Sequence, residues 1–424
     1  MKVVHLSTSD RGGAGIAASR LHLALLDQGV DSHFLTLHKF TSNIPKHFKF
    51  EAGAGRTFPF IKNGIAKIKR GLKYYNFYTA PIEKLSLQHL KNRLLGMEHF
   101  SFPFSEYDLA HHPLIIDADI IHLHWVSDGF LDYENFFKNC KKKIIWTLHD
   151  MNPFTGGCHH SDGCLLFRDN CMPCFQLEGT IDVNYAGKMQ RLKVDSMQNI
   201  VGAFLKIVTP SKWLGNLSST SKLLGKYFHS VIPNPFDSNK FQMKSKEDAK
   251  NKLGIESGKK IIFVNSHHID NPRKGLKFLI DALKLLPSEK YLVIAAGHKI
   301  GSDLFPNLIQ LGYIHSEEML SFAYSAADVF VLPSLAENFP NTICESLLCG
   351  TPVVAFNTGG IPELINSENG MLVGLGDSIE LAAALEKVTS KTWDRNLIRQ
   401  NAITIFGMHR VSSDYIKVYN KLLG

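Results

Sequence analysis

The sequence lacks an apolar run long enough to span a lipid bilayer, and it lacks a charged start followed by an apolar run and a small-residue cleavage site. We therefore expect a soluble, cytosolic protein. Acidic residues are the scarcer charged class, because 39 Asp and Glu oppose 47 Lys and Arg for a formal net charge of +8. This excess suits an anionic ligand or an anionic membrane surface and selects neither. Internal repeats are also missing, which excludes solenoid architectures.

Cysteine is scarce, with seven in 424 residues, yet four of the seven fall in one short stretch, "CHHSDGCLLFRDNCMPC". These four are Cys158, Cys164, Cys171 and Cys174. A closing C-x-x-C with two further cysteines is typical of a closed tetrahedral zinc site. Disulfides are disfavoured in a cytosolic chain, and four unrelated buried thiols are the remaining alternative. We predict a structural zinc ion, in which His159 or His160 could replace one cysteine.

The pattern of apolar runs predicts an α/β protein with two domains, as the length of 424 residues also favours. Short β-rich runs alternate with helix-like segments, which is typical of a parallel sheet covered on both faces. The segment "HSVIPNPFDSNKF", residues 229–241, interrupts the alternation and is interpreted as a linker. We predict two Rossmann-like, doubly wound domains that face each other across a cleft, with residues 1–232 in one and 233–404 in the other. A cysteine-rich insert, 156–177, belongs to the first.

The stretch "LAENFPNTICESLLCG", residues 335–350, places Glu337 and Glu345 eight positions apart around a proline. We predict a loop followed by a helix with Asn341 at its N-cap, so that the carboxylates lie at different points along one extended polar ligand. Free N–H groups at such a helix start favour an anion. A capped surface helix with solvated acids is the alternative for either glutamate alone.

The longer run "YSAADVFVLPSLAENFPNTICESLLCGTPVVAFNTGGIPELI" strongly resembles the signature of family 4 retaining glycosyltransferases, which have the two-domain GT-B fold. The resemblance implies a nucleotide-diphosphate sugar donor, either a UDP- or a GDP-sugar. It further implies that Glu337 hydrogen-bonds hydroxyls of the donor sugar and that Glu345 holds the nucleotide ribose. It also implies a C-terminal helix, 405–424, that crosses back to the first domain.

Two further segments fit the same donor. In "NTGGIPELI", Thr358, Gly359 and Gly360 follow a predicted strand, so the backbone can approach a ligand closely and direct N–H groups at phosphate oxygens. A plain tight turn is the alternative. We expect the nucleotide base to contact backbone near Tyr313 and Ile314.

In "NPRKGLKFLIDAL", Arg273 and Lys274 precede a predicted helix, and the family uses such a lysine against the diphosphate. Cations there would offset the charge that develops on the departing nucleotide. Many family members carry a Gly-Arg pair before this element, whereas this chain has "NSHHID". The arginine's role is therefore unfilled or is taken by His268 or Arg273.

In "STSDRGGAGIAAS", Gly12, Gly13 and Gly15 separate a predicted strand from a helix. NAD binding is the competing interpretation, but the spacing is not G-x-G-x-x-G and the next strand ends without an acidic residue. The resemblance places this glycine loop opposite the donor phosphates, where it shapes the acceptor side.

His149 ends the predicted strand "KKIIWTLH" and matches a family histidine that contacts the donor sugar near the reacting centre. Capping or core packing is the ordinary alternative, and His122 and His124 rank lower as lining residues. No carboxylate stands out as the nucleophile of a double displacement. The resemblance implies front-face transfer with retention, and no catalytic divalent metal is expected.

Residues 56–78 carry six Lys or Arg, six aromatic residues and no acidic residue. We predict contact with the inner leaflet of the membrane, where a lipid-linked glycan acceptor would lie. A core-packed helix is an alternative, and nucleic-acid binding lacks a recognised module.

Together these features predict a hexosyltransferase of bacterial surface-polysaccharide biosynthesis. A non-hydrolysing UDP-sugar epimerase and a catalytically inactive sugar-nucleotide-binding partner are the rival hypotheses.

Overall fold

The computed structural model describes residues 1–51, 88–266, 271–297 and 305–424. The basic, aromatic segment 56–78 lies outside these residues. The chain divides into two compact units, and each contains one parallel sheet.

The first unit comprises Met1–Pro210, Leu214–Ile232 and Ser412–Gly424. Its sheet has the order β3-β2-β1-β4-β5-β6-β7, and all neighbours are parallel. The strands are β1 (Lys2–Ser9), β2 (Asp31–His38), β3 (His47–Lys49), β4 (Ile120–Leu123), β5 (Lys143–Thr147), β6 (Leu205–Thr209) and β7 (Phe228–Val231). The helices of this part of the chain are α1 (Gly12–Asp27), α2 (Pro113–Ile116), α3 (Tyr133–Asn139), α4 (Tyr185–Met197) and α5 (Lys212–Ser219).

The second unit comprises Ser211–Trp213 and Pro233–Val411. Its parallel sheet has the order β10-β9-β8-β11-β12-β13. The strands are β8 (Lys260–Ser266), β9 (Tyr291–Gly297), β10 (Leu308–Gly312), β11 (Val329–Leu332), β12 (Val353–Phe356) and β13 (Gly370–Val373). The helices are α6 (Lys246–Leu253), α7 (Leu276–Lys284), α8 (Glu317–Ala326), α9 (Asn341–Leu348), α10 (Ser378–Ser390) and α11 (Arg395–Phe406), and α12 (Met408–Leu423) follows.

Both sheets are covered on two faces, as the continuous apolar runs predict. In β8, Phe263 belongs to one buried cluster, whereas its neighbours Ile262 and Val264 belong to a second cluster. Successive side chains of a strand point to opposite faces, so both faces of this sheet carry a hydrophobic core. The predicted α/β fold class is confirmed.

Each sheet has one point where the strand order reverses, between β1 and β4 in the first unit and between β8 and β11 in the second. Ligands of open α/β sheets bind beside the carboxyl ends of the strands at such a point. The loops after these four strands are therefore where functional side chains are expected.

Three local predictions were wrong in detail. The predicted linker begins inside β7, because residues up to Val231 pair with β6. The predicted final helix, 405–424, begins three residues later as α12, since α11 ends at Phe406 and Gly407 separates the two helices. The three N-terminal glycines open α1 instead of forming a loop before it.

No helix among the described residues combines the length and the apolar character needed to cross a membrane.

Candidate active site

The loops after β8 and β11 are joined by ionic and backbone contacts at the reversal point of the second sheet. Lys274 Nζ lies 2.6 Å from Glu337 Oε1, and Arg273 Nη1 lies 3.6 Å from the same oxygen. Arg273 also donates to the carbonyl of Ala336 at 2.7 Å, and its own carbonyl accepts from the Leu335 N–H. The structure thus brings together three of the four predicted catalytic residues, and it places two cations around one carboxylate.

The glycine that follows Lys274 is required by this arrangement. Gly275 has a φ of +68°, and a Cβ at this position would lie 1.8 Å from the carbonyl oxygen of Pro333. Only glycine adopts such a conformation without strain and permits this close approach. Gly275 therefore lets residues 272–275, the lysine turn, pack directly against the loop after β11.

The glycine turn after β12 also packs against the Glu337 loop. A Cβ on Gly359 would lie 1.9 Å from the Glu337 carbonyl oxygen, and one on Gly360 would lie 1.9 Å from the Asn338 carbonyl oxygen. The Gly360 N–H donates to the Glu337 carbonyl at 3.0 Å, and the Thr358 hydroxyl donates to the Leu335 carbonyl at 2.9 Å. The Gly360 N–H is therefore satisfied within the protein, and its predicted contact with phosphate stays a prediction.

The second predicted carboxylate, Glu345, lies in α9 and is buried, with 8% of its surface exposed. The hydroxyl of Tyr324 donates to its Oε2 at 3.2 Å and itself accepts from Asn265 at 3.3 Å. Asn341 is the first residue of the helix, and Pro340 occupies the N-cap, so the predicted capping role of Asn341 was wrong. Proline precedes the helix because its fixed φ suits the entry to the first turn.

Three further residues were predicted to contact the donor, namely Tyr313, Ile314 and His268. Tyr313 and Ile314 follow β10, and the Tyr313 ring is half exposed and lies 4.3 Å from the ring of His315. His268 lies outside the described residues, so its substitution for the missing arginine stays a prediction.

In the first unit, His149 lies two residues after the end of β5 and contacts a second histidine. Its Nε2 lies 3.2 Å from Nδ1 of His124, whose Nε2 lies 2.9 Å from Nδ1 of His5. Burial lowers the pKa of His149 to about 4, so the imidazole is neutral at neutral pH. A neutral ring can donate one hydrogen bond and accept another, as contact with a sugar hydroxyl requires. From the sequence His124 ranks below His149 as a site residue, and its contact with His149 was not predicted.

His122 has a structural role in the same sheet. Its two ring nitrogens lie 2.7 Å from the Tyr419 hydroxyl and 2.8 Å from the Thr147 hydroxyl. Both partners are buried, so this histidine is a satisfied core residue.

The glycine segment after β1 makes one close approach. A Cβ on Gly15 would lie 2.3 Å from the Ser9 carbonyl oxygen, whereas one on Gly12 would meet nothing within 4 Å. Gly15 therefore packs the start of α1 on the end of β1, and the contribution of Gly12 and Gly13 to a ligand site stays a prediction.

The four clustered cysteines line one cavity of about 20 Å³. A cavity of this size holds about one water-sized particle. Burial raises the pKa of Cys158 and of Cys171 to about 12, so these thiols need a nearby cation to ionise. The cluster is not among the groups of described residues whose ligand atoms all lie within 4.8 Å, so zinc binding requires the sulfur atoms to move closer together.

Comparisons with known proteins agree with this geometry. Residues 258–391 match the family model described as "Glycosyl transferases group 1". WcaC of Escherichia coli (strain K12), a glycosyl transferase named for colanic acid biosynthesis, is 23% identical over 385 residues, with 87% of this chain and 86% of the relative covered. The chain is a glycosyltransferase with the GT-B fold. This agrees with the predicted resemblance to family 4.

Two other similar proteins bear on the fold and the class of enzyme. "O-antigen chain mannosyltransferase B" of Escherichia coli is 31% identical over 137 residues, which cover 29% of this chain and 35% of that enzyme. The crystal structure of Anabaena HepE in complex with UDP-glucose superimposes with a TM-score of 0.62 at 17% identity, covering 99% of this chain and all of the other. The family match in this glycosyltransferase contains the lysine turn and both glutamates, but neither His149 nor the cysteine cluster.

Proposed function

We propose that this enzyme transfers a hexose, with retention of configuration, from a UDP- or GDP-sugar to a hydroxyl of a lipid-linked glycan during bacterial surface-polysaccharide assembly. The carrying observation is the contact of Lys274 and Glu337 at 2.6 Å, from the two loops that flank the reversal point of the second sheet. Support for the pathway comes from the names of two similar proteins, WcaC and the O-antigen mannosyltransferase.

Each polar group at this position has a role in the proposal. Glu337 accepts hydrogen bonds from hydroxyls of the donor sugar, and Glu345 accepts those of the ribose. Lys274 has three N–H donors, so it can keep its contact with Glu337 and still donate to the diphosphate. Lys274 and Arg273 then stabilise negative charge as the nucleotide departs.

The proposed transfer occurs on one face of the sugar. The bond from the anomeric carbon to the diphosphate oxygen breaks, and the bond to the acceptor oxygen forms on the same side. The acceptor proton passes to the departing phosphate oxygen, so no protein nucleophile is needed. The protein contributes orientation and charge stabilisation, and the neutral His149 contributes a hydrogen bond to the sugar.

The direct test compares turnover of Glu337→Gln with that of Glu386→Gln. Glu386 is exposed on α10 and serves as the matched control. We expect Glu337→Gln to lower kcat/KM by about 10²- to 10³-fold, as removal of a positioned transition-state contact does. Unchanged kinetics in Glu337→Gln would refute the assignment, and an inverted anomeric product would refute retention alone.

The cysteine cluster supports a second element of the proposal, a structural zinc ion held by Cys158, Cys164, Cys171 and Cys174. Four thiolates close the coordination sphere, so this ion would stabilise the insert and take no part in transfer. The shared cavity favours a bound cation over four unrelated cysteines.

The composition of residues 56–78 supports a third element, docking of a cytoplasmic enzyme on the inner face of the membrane. Sedimentation with anionic vesicles tests it, because replacing the six Lys and Arg by Gln is expected to abolish binding. Equal sedimentation of the two proteins would contradict it.

The two rival hypotheses predict different products. An epimerase interconverts or hydrolyses a UDP-sugar in the absence of an acceptor, and an inactive partner binds the donor without turnover. The contact between Lys274 and Glu337 favours an intact active site over the inactive partner.

A further inference from the structure

Three side chains from separate segments meet beside the carboxyl ends of β4 and β5. They are His99, Asp128 and His159, and one ligand atom from each lies within 4.8 Å of the others. His99 Nε2 lies 2.9 Å from Asp128 Oδ1, and both side chains are about half exposed. Two imidazoles and one carboxylate form a donor set that proteins use for divalent transition metals.

The buried histidine of the group is oriented by a carboxylate behind it. His159 Nδ1 lies 2.6 Å from Asp150 Oδ2, and Asp150 also accepts from the Trp125 indole at 2.6 Å and from the Asn152 N–H at 2.9 Å. Because the proton on Nδ1 points to Asp150, the Nε2 lone pair faces His99 and Asp128. A metal-binding histidine is usually held by a carboxylate in this way.

The hydroxyl of Ser101 lies at the centre of the group, 2.6 Å from Asp128 Oδ1, 2.7 Å from His159 Nε2 and 3.2 Å from His99 Nε2. An N–H at His99 Nε2 can donate to Asp128 Oδ1, so the single hydrogen of the hydroxyl can donate to His159 Nε2. Two protons thus hold the three ligand atoms together, and a metal ion would replace those protons by coordinating the same atoms.

We propose that His99 Nε2, Asp128 Oδ1 and His159 Nε2 form a binding site for one divalent transition-metal ion, and that the donor set suits zinc. The two exposed ligands give the ion a route of entry, and a fourth coordination position is left for water. Asp150 is the positioning residue behind His159. This site is separate from the cysteine cluster. His159 uses Nδ1 for Asp150 and Nε2 for the proposed ion, so neither ring nitrogen is left to join the cysteines as a ligand.

A second histidine group in the described part of the chain does not offer the same site. His5, His122 and His124 also have ligand atoms within 4.8 Å, but all three are buried. His122 uses both nitrogens for core hydrogen bonds, so metal binding there would break contacts and lacks a route of entry.

Cobalt titration of the full-length protein tests the proposal. Cobalt bound by thiolates shows sulfur-to-metal charge-transfer absorption, whereas cobalt bound by nitrogen and oxygen shows only weaker bands, so the two proposed sites are counted separately. We expect His99→Ala and Asp128→Ala to remove one nitrogen- and oxygen-bound equivalent and to leave the thiolate signal unchanged. Asp150→Asn is expected to weaken the affinity of this site by about 10- to 100-fold.

The matched control is His111→Ala, because His111 forms an exposed pair with Asp108 at 2.7 Å and belongs to no three-ligand group among the described residues. It is expected to bind as much cobalt as the wild type. The proposal is wrong if the wild type binds only thiolate-ligated cobalt, or if both His99→Ala and Asp128→Ala bind cobalt as the wild type does. Circular dichroism of each variant shows that a lost equivalent does not reflect unfolding.

Discussion

Single residues decide how closely the loops of the second unit approach one another. A carbonyl oxygen packs against each of Gly275, Gly359 and Gly360 in the place that a Cβ would occupy. From the sequence we predict ligand contacts for Gly359 and Gly360 and none for Gly275, whereas the structure gives all three a packing role that composition and spacing could not reveal. A carbonyl contact across the chain leaves no trace in a local sequence pattern.

Gly360→Ala is expected to lower the free energy of unfolding by about 1–3 kcal/mol, because the new Cβ would overlap the Asn338 carbonyl oxygen. The shift of the Glu337 loop should also lower kcat/KM by about 10²-fold. Denaturant unfolding and steady-state kinetics measure the two effects. Gly258→Ala is the control, since nothing lies within 4 Å of its Cβ position. Equal stability of the two variants would show that the close approach is unimportant.

Among secondary-structure elements, the buried strands were the most predictable. The apolar runs of β1, β5, β9 and β12 stand out because both faces of a parallel sheet are buried. Element ends were harder to predict, since β7 is defined by pairing with β6 and not by its own composition. The contact of His149 with His124 could not be predicted from the sequence either, because it depends on which strands are neighbours in the sheet.

The insert with the four cysteines carries a prediction about metal-dependent stability. Cys171→Ser should lose the zinc that a thiol-specific mercurial reagent releases, and it should unfold at a lower temperature, because a structural zinc ion contributes to folding. Cys140→Ser is the matched control, since Cys140 is buried and lies outside the cluster. Failure of the reagent to release zinc from the wild type would exclude the thiolate site.

The buried histidines of β1, β4 and α1 predict a dependence of stability on pH. Burial lowers the pKa of His22 to about 4, and it lowers the pKa values of His5, His122 and His124 well below the ordinary 6.5. The unfolded chain therefore binds more protons, so stability is lost as pH falls from 6.5 towards 4. Each fully shifted histidine should lower the free energy of unfolding by about 2 kcal/mol between pH 7.5 and pH 5.

Urea unfolding at pH 7.5 and pH 5 measures this loss. His22→Gln should reduce the difference between the two pH values, whereas His38→Gln, at an exposed position, should retain it. A free energy of unfolding that is the same at both pH values would show that these histidines are not held neutral by the fold.

Across the whole chain, both units have a parallel sheet with one reversal of strand order, but their functional residues are not equally recognisable in the sequence. The second unit contains the family match and the contiguous signature, so its lysine turn and its two glutamates could be predicted. For the sugar-transfer site, the strongest candidates in the first unit were His149 and the glycines, because its other polar side chains come from segments far apart in sequence. His99, Asp128 and His159 belong to this class, and no short motif could have revealed their meeting.

The most direct measurement for the central claim is calorimetric titration of the wild type and Glu345→Ala with UDP, GDP, UDP-glucose, UDP-galactose, UDP-N-acetylglucosamine and GDP-mannose. We predict that one nucleotide sugar binds the wild type selectively and that Glu345→Ala, which removes the proposed ribose contact, binds it at least tenfold more weakly. Glu386→Ala should bind as the wild type does. Absence of binding by the wild type, or equal binding by Glu345→Ala, would contradict the proposed donor site.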